Sequence, residues 1–165
     1  MTLEGRLDVG KEANVIVSRA GEADISALCR FEIQARLTEP GVLVAEFEEE
    51  HYAKFLGSLQ LNNSRDNAIL IAADGHHVVG RCDIAILRST MDGMAIGYID
   101  WIYVLKPHRC QGIASSLLLA AEQFFREAGA MRYYLFTADN EEAQAFYHRN
   151  TSLSFTRREV AEKVL

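Results

Sequence analysis

The stretch IDWIYVLKPHRCQGIA, residues Ile99–Ala114, carries the most information about the fold. It opens with a run that is apolar or aromatic apart from Asp100, which predicts a buried strand, and Pro107 stops that strand. After Gly112, apolar residues recur at helical spacing, so the loop opens a long helix. Backbone N–H groups at a helix start point outward along a favourable dipole, so this junction can hold a phosphate. The alternative is that Gly112 only permits the turn.

The flanking segments predict a mixed sheet covered by helices. Asp74-Gly75 and Asp92-Gly93 are turn signals between strand-like runs, so three consecutive strands are expected to pair in antiparallel fashion. The order β-α-α-β-β-β-α-β-α-β indicates an α/β (α+β) fold, in one domain over residues 1–165 with a loose lead-in over 1–13. The strands are expected at 15–19, 68–72, 78–87, 96–104, 133–137 and from 153, and the helices near 25–33, 47–61, 113–125 and 140–149.

Composition and motifs exclude several classes of protein. The 49% hydrophobic and 24% charged residues are typical of a globule, and 17 Lys and Arg minus 23 Asp and Glu give a net charge of −6. That charge disfavours nucleic acid and anionic membranes as partners. The 3 cysteines show no paired spacing and the N-terminus has no apolar signal segment, so reduced thiols, a cytoplasmic location and no metal site are expected. No Gly-Lys-Ser/Thr or GxGxxG motif follows the first strand, which excludes simple nucleotide enzymes.

Two motifs in the right order carry a family resemblance. The run Arg109-x-x-Gly112-x-Ala114 resembles the Arg/Gln-x-x-Gly-x-Gly/Ala signature of the GNAT superfamily of N-acetyltransferases. About thirty residues later, Asn140-x-x-Ala143-x-x-Phe146-Tyr147 is similar to a later helix of that family. The resemblance spans roughly residues 14–155. It implies six to seven strands, mostly antiparallel, with about four helices and a separation between the fourth and fifth strands.

The resemblance also implies a co-substrate and the residues that hold it. Acetyl-CoA would enter between the separated strands and rest its pyrophosphate on the amides from Arg109 to Ala114. Its pantetheine arm would run beside the fourth strand, and Asn140 would lie near the sulfur. The implied binding residues are Tyr103, Val104, Arg109, Cys110, Gln111, Gly112, Ile113, Ala114 and Asn140.

Two residues are candidates for proton transfer. Asp100 interrupts an apolar strand and resembles an acidic residue of the family, so it could act on the acceptor amine through water; it could equally be a structural carboxylate. Tyr147 matches a family tyrosine that faces the sulfur and would donate a proton, and its alternative is core packing beside Phe146. The oxyanion is expected to face the N–H of Val104 or a neighbour. The Gly-Phe pair usual after this tyrosine is missing here.

The predicted function is transfer of an acetyl group from acetyl-CoA to a primary amine. An acidic chain suits a cationic acceptor, with one wall of its site built from residues 30–61, including Arg36, Glu39 and the acidic cluster Glu46–Glu50. Two alternative functions stay open: a non-catalytic acyl-CoA sensor and a transferase for longer acyl chains. Tyr98 and Trp101 could line the acceptor cleft, pack in the core or form a homodimer contact.

Overall fold

The structure is a computed structural model that describes residues 7–8, 14–40, 47–61, 64–157 and 159–165. The lead-in, apart from residues 7–8, and Glu46 of the acidic cluster lie outside the described residues. The chain divides into two units, Met1–Leu135 and Phe136–Leu165. The first unit holds the sheet and three helices, and the second holds one helix.

The sheet follows chain order, β1-β2-β3-β4-β5-β6. All neighbours are antiparallel except β5 and β6, which are parallel, so the predicted antiparallel pairing of the three middle strands is confirmed. The first strand is a two-residue edge ladder and leaves a sheet of five full strands, fewer than the six to seven predicted. The strands are β1 (Leu7–Asp8), β2 (Val15–Arg19), β3 (Asn67–Asp74), β4 (His77–Arg88), β5 (Ala95–Val104) and β6 (Tyr133–Leu135).

The final extended segment expected from Leu153 is not a strand. None of the described residues from 150 onward pairs in the sheet, and Leu153 N–H closes a turn on the Asn150 carbonyl at 3.1 Å. The ring of Phe155 instead stacks on His148, with centroids 4.2 Å apart. Local ring stacking and turn hydrogen bonds therefore replace the expected strand pairing.

The described residues form four helices, three in the first unit and one in the second, and two 3-10 turns precede α1 and α3. Acidic residues open α2, and Gly129 lies in the left-handed region just beyond the end of α3, as a helix terminator does. In the described part of the chain, no helix is long and apolar enough to cross a membrane. The helices are α1 (Ile25–Thr38), α2 (Glu49–Ser58), α3 (Ile113–Glu127) and α4 (Glu141–Arg149).

Helices α1 and α3 pack on opposite faces of the sheet. A Cβ added to Gly80 would lie 3.0 Å from Ile113 of α3, whereas the next residue, Arg81, bonds to Glu32 of α1. Successive strand residues point to opposite faces, so the two helices are separated by the sheet. A core cluster lies on the α1 side, and it contains Ala20, Leu28, Phe31, Ala35, Leu56, Leu61, Ile69, Ile71, Val78, Tyr103 and Leu105.

The parallel ladder between β5 and β6 is short. It joins Gly97 to Tyr133 and ends where Ile99 faces Leu135, whereas β5 continues to Val104. Strand β5 is the fourth strand of the expected order, because β1 was not expected. The ladder therefore ends between the two strands for which the resemblance implied a separation.

Candidate active site

Residues 109–114, which we call the cofactor loop because the family resemblance implies acetyl-CoA there, join a 3-10 turn after β5 to α3. Gly112 has φ +80°, a conformation that glycine adopts without steric cost, and a Cβ there would have nothing within 4 Å. Ser116 N–H bonds to the Gly112 carbonyl at 3.0 Å, so the three amides between them start the helix without an intrahelical acceptor. The first turn carries no acidic side chain. An anion can therefore approach these amides unobstructed.

The other side chains of the cofactor loop hold it to the fold or leave it open. Ile113 is buried and packs close to Gly80, and Ala114 is half-buried. Gln111 donates to the Pro107 carbonyl at 3.4 Å. Cys110 is exposed and takes a positive φ of 61°, which is costly for a residue with a Cβ. Cys110, a residue with a Cβ, thus occupies a left-handed position that a glycine would adopt without steric cost.

The positive charge of Arg109 is paired with a carboxylate. Its guanidinium forms a bidentate ion pair with Glu39, with Nη1 to Oε1 at 3.1 Å, and its Nε donates to the Val104 carbonyl at 3.1 Å. The sequence suggested that Glu39 belongs to the acceptor wall, but the structure joins it to the cofactor loop. The charge of Arg109 is therefore balanced within the protein.

Tyr103 and Val104 lie at the end of β5, as the sequence predicted. The Tyr103 hydroxyl donates to Glu39, and burial together with that carboxylate raises the pKa of Tyr103 to about 12. Leu105 N–H bonds to the Val79 carbonyl of β4 at 2.9 Å, so the Val104 amide points away from β4 by strand alternation. It faces the edge of β5 that the β6 ladder no longer reaches, where it is placed to donate to an added acceptor atom.

Asp100 occupies a β-bulge. The ladder passes from the pair Asp83–Trp101 to the pair Ile84–Ile99, which leaves Asp100 without a partner across from it. Asp100 is exposed, and the Tyr98 hydroxyl hydrogen-bonds to it. Burial and this carboxylate raise the pKa of Tyr98. The bulge therefore turns a carboxylate outward from an otherwise apolar strand.

A second carboxylate, Asp83, lies beside Asp100. Burial raises the pKa of Asp83, outweighing its bonds to Arg81, and the negative charge of Asp100 raises it further. The Arg81 guanidinium donates hydrogen bonds to both carboxylate oxygens of Asp83, with Nε to Oδ1 at 2.7 Å and Nη2 to Oδ2 at 2.8 Å. The sequence analysis missed Asp83, although two charged residues at alternate positions of an apolar strand are a signal for a shared polar face.

Arg81 also links this strand to helices α1 and α2. Its Nη1 lies 2.8 Å from Glu32 of α1 and donates to the Tyr52 hydroxyl of α2, and Glu32 binds Arg36 at 2.6 Å. Burial alone would lower the pKa of Arg81, but the hydrogen bonds and charge of Asp83 raise it. Arg36, a weak candidate for the acceptor wall, is thus part of a buried ion-pair network. Among the described residues, no group of His, Cys, Asp and Glu side chains could hold a metal ion.

Asn140 and Tyr147 belong to the second unit. The Asn140 side chain caps α4, because its Oδ1 accepts from Ala143 N–H at 2.8 Å. Tyr147 is buried in α4 with its ring next to Phe146, at 5.3 Å between centroids. Helix capping thus explains the position of Asn140 in its motif.

Comparison with known proteins shows both the fold and the family of this chain. The profile of the acetyltransferase (GNAT) family matches residues 31–151, well over half of the sequence. The chain therefore belongs to that family, and the resemblance of its motifs is confirmed. A comparison with curated protein sequences gives no match.

Solved structures share the fold at low sequence identity. An aminoglycoside acetyltransferase, meta-AAC0020 from an uncultured soil metagenomic sample, superposes with a TM-score of 0.70 at 18% identity, over 92% of this chain and 95% of that chain. The ribosomal-protein-alanine N-acetyltransferase of Brucella melitensis biovar Abortus 2308 gives 0.69 at 19%, over 90% and 99%. Aminoglycoside N-acetyltransferase AAC(6')-Iy, solved with CoA, gives 0.71 at 14%, over 94% and 98%.

Proposed function

We propose that this protein is an acetyl-CoA-dependent N-acetyltransferase acting on a cationic primary amine. One observation carries the proposal: β5 holds an exposed carboxylate in its bulge and leads, through a 3-10 turn and the cofactor loop, to a helix start with open amides. Asp100 and Val104 are four residues apart, a span of about 13 Å along an extended strand. One strand thus links a candidate proton acceptor to a candidate phosphate site. AAC(6')-Iy, which shares the fold, was solved with CoA.

The cofactor loop fits a diphosphate. Its amides are unpaired within α3, Gly112 leaves the approach open, and the first turn has no carboxylate to repel an anion. Backbone amides give a fixed set of donors, so the site would bind phosphate with little reorganisation. The pantetheine arm would then follow β5 past the Val104 amide.

The acceptor side fits a cation. Asp100 and Asp83 lie close enough for the charge of one to raise the pKa of the other, and a bound ammonium would relieve that repulsion. The ring of Trp101 is half-buried, Tyr103 stacks on it at 5.5 Å between centroids, and the Arg81 guanidinium carbon lies 5.5 Å from its centre. The exposed Asp100 is therefore the group that would meet the ammonium first.

The chemistry then needs two protons removed from the ammonium nitrogen and one supplied to the thiolate. Asp100 would orient the ammonium and accept its proton through water, which frees the nitrogen lone pair to attack the acetyl carbonyl. The Val104 amide would donate to the carbonyl oxygen as negative charge develops there. The carbon–nitrogen bond forms and the carbon–sulfur bond breaks. By the family resemblance, Tyr147 would give its proton to the departing thiolate, and the second proton that leaves the nitrogen would restore the phenol. The products are the acetylated amine and CoA.

A thiol-release assay with acetyl-CoA and a panel of amines tests the proposal. Polyamines, aminoglycosides and lysine peptides form the cationic arm, and uncharged or acidic amino compounds form the matched arm. Release of thiol together with mass-shifted product, faster for the cationic arm, is expected. Binding of acetyl-CoA with no turnover on any amine would instead favour the sensor, and faster turnover with a longer acyl-CoA would favour the other transferase.

A further inference from the structure

Three side chains from separate elements meet at the start of the cofactor loop. Glu39, which caps the C-terminal end of α1, accepts from both terminal nitrogens of Arg109 and from the Tyr103 hydroxyl. The guanidinium carbon also lies 5.3 Å from the centre of the Tyr103 ring. We call these three residues the Glu39 cluster. It ties α1 to β5 and to the first residue of the cofactor loop.

The cluster fixes the orientation of Arg109 as well as its charge. A bidentate pair between a guanidinium and a carboxylate holds both groups in one plane, and Nε is already committed to the Val104 carbonyl at 3.1 Å. The hydrogen bonds from Arg109, outweighing burial, hold the pKa of Glu39 below its ordinary range. At neutral pH the pair is therefore ionised and its geometry is maintained.

The residue after Arg109 shows why such an anchor matters. Cys110 takes a left-handed conformation that costs roughly 1–2 kcal/mol for a residue with a Cβ. A costly backbone conformation persists only where its surroundings enforce it. Arg109 is the flanking residue with a rigid attachment to another element. The geometry of the amides that follow thus depends on the carboxylate of α1.

We propose that Glu39 is a positioning residue for the co-substrate. It acts through Arg109 to hold the amides of the cofactor loop in the geometry that binds a diphosphate. The inference rests on the proposed function, because it assumes that this loop binds CoA. It also assigns Arg109 a role different from direct phosphate binding, because its guanidinium is already paired with the Glu39 carboxylate.

A double-mutant cycle measured by calorimetry with CoA tests the proposal. Glu39→Gln, Arg109→Gln and the double variant are compared with the wild type, and Asp66→Asn is the matched control because Asp66 forms an exposed ion pair with Arg88 of β4. Glu39→Gln is expected to weaken CoA binding about five- to tenfold, in the range of typical coupling between sites. Arg109→Gln should weaken it by a similar factor, and the double variant no further. The control should bind as the wild type does.

Calorimetry separates this role from simple loss of folded protein, because the stoichiometry reports the competent fraction and the dissociation constant reports the site. Steady-state kinetics should show a raised KM for acetyl-CoA with kcat within about twofold. Glu39→Asp keeps the charge but is too short for the bidentate pair, so it should weaken binding too and serves if Glu39→Gln does not fold. Unchanged or tighter CoA binding in these variants, or additive effects in the cycle, would overturn the inference. A wild-type protein that binds no CoA would overturn the proposed function as well.

Discussion

Gly97 of β5 lies directly under the ring of Phe125 of α3. A Cβ on Gly97 would stand 2.6 Å from the nearest ring atom, closer than real side chains approach each other. The absence of a side chain on β5 is therefore what lets α3 settle onto the sheet and bring its N-terminus to the end of that strand.

Replacing Gly97 with Ala should consequently destabilise the fold. Overpacking of a buried contact costs typically about 1–3 kcal/mol, because the ring or the helix must shift. Chemical denaturation of Gly97→Ala should show that loss. Gly57→Ala within α2 is the matched control: its Cβ would lie 4.0 Å from Ile25 of α1, and the gain in helix propensity should stabilise by about 0.5–1 kcal/mol. Equal stabilities of the two variants would contradict the packing model.

A side chain at Gly112 should weaken CoA binding. Gly112→Val strains a backbone at φ +80° and places methyl groups in the open approach to the amides. Gly93→Val in the β4–β5 turn is matched, since φ is +72° and its Cβ also meets nothing. Both should lose about 1–2 kcal/mol of stability from the left-handed strain. Only Gly112→Val should raise the Kd for CoA, by about tenfold or more because charged hydrogen bonds to phosphate are lost. Unaltered affinity would place the phosphate site elsewhere.

Asp100→Asn should lower kcat and leave the affinity for acetyl-CoA unchanged. The amide keeps the size of the carboxylate in the bulge but cannot accept a proton, and general-base losses are typically about 100-fold or more. Asp74→Asn, at the exposed end of β3, controls for the loss of one negative charge. A turnover rate for Asp100→Asn equal to the wild type across pH would remove Asp100 from the chemistry.

Cys110 should report on occupancy of the cofactor loop. It is the exposed cysteine, whereas Cys29 and Cys82 are buried, so a maleimide should label one thiol in the native protein. Acetyl-CoA, which has no free thiol to consume the reagent, should slow that labelling. Acetyl phosphate at the same concentration serves as the control. Mass spectrometry that finds equal labelling rates with and without acetyl-CoA would argue against binding at this loop.

The Glu39 cluster should make stability sensitive to acid. Hydrogen bonds from Arg109 are the main cause that holds the pKa of Glu39 below its ordinary value of 4.5, and Tyr103 and Lys106 contribute in the same direction. A carboxyl whose pKa is lower in the folded state stabilises the fold above its unfolded pKa and loses that contribution as pH falls through the folded pKa. The stability difference between wild type and Glu39→Gln should therefore be constant near neutral pH and shrink below about pH 4.5. Urea titrations at several pH values measure it, and a difference that grows on acidification would have the wrong sign.

Local chemistry allowed much of the first unit to be predicted from sequence. Turn residues such as Asp74-Gly75 determined the pairing of neighbouring strands, and the strand–loop–helix around Gly112 follows from the change of period after Pro107. Both signals act between residues that are close in the chain. The resemblance to the GNAT family supplied the order of the motifs.

The parts that sequence did not predict depend on contacts between distant residues. The Asp83–Arg81–Glu32 network joins positions up to 49 apart, and Glu39 lies 70 residues from Arg109. No periodicity links such positions. The strand predicted from Leu153 is absent for a related reason. A short apolar run forms a strand only when the edge of a sheet is present to pair with it.

The bulge at Asp100 determines how β5 would respond to the loss of one residue. The extra residue reverses the facing of everything beyond it. Trp101 and Tyr103 therefore meet Phe31 of α1, although Gly97, four positions before Trp101, lies against α3. Deleting Asp100 would place the pairs Ile84–Ile99 and Asp83–Trp101 in direct succession, so the ladder would become regular and the residues beyond it would keep their faces. The strand would lose its outward carboxylate and the local bend of the bulge, but Tyr103 would still face α1.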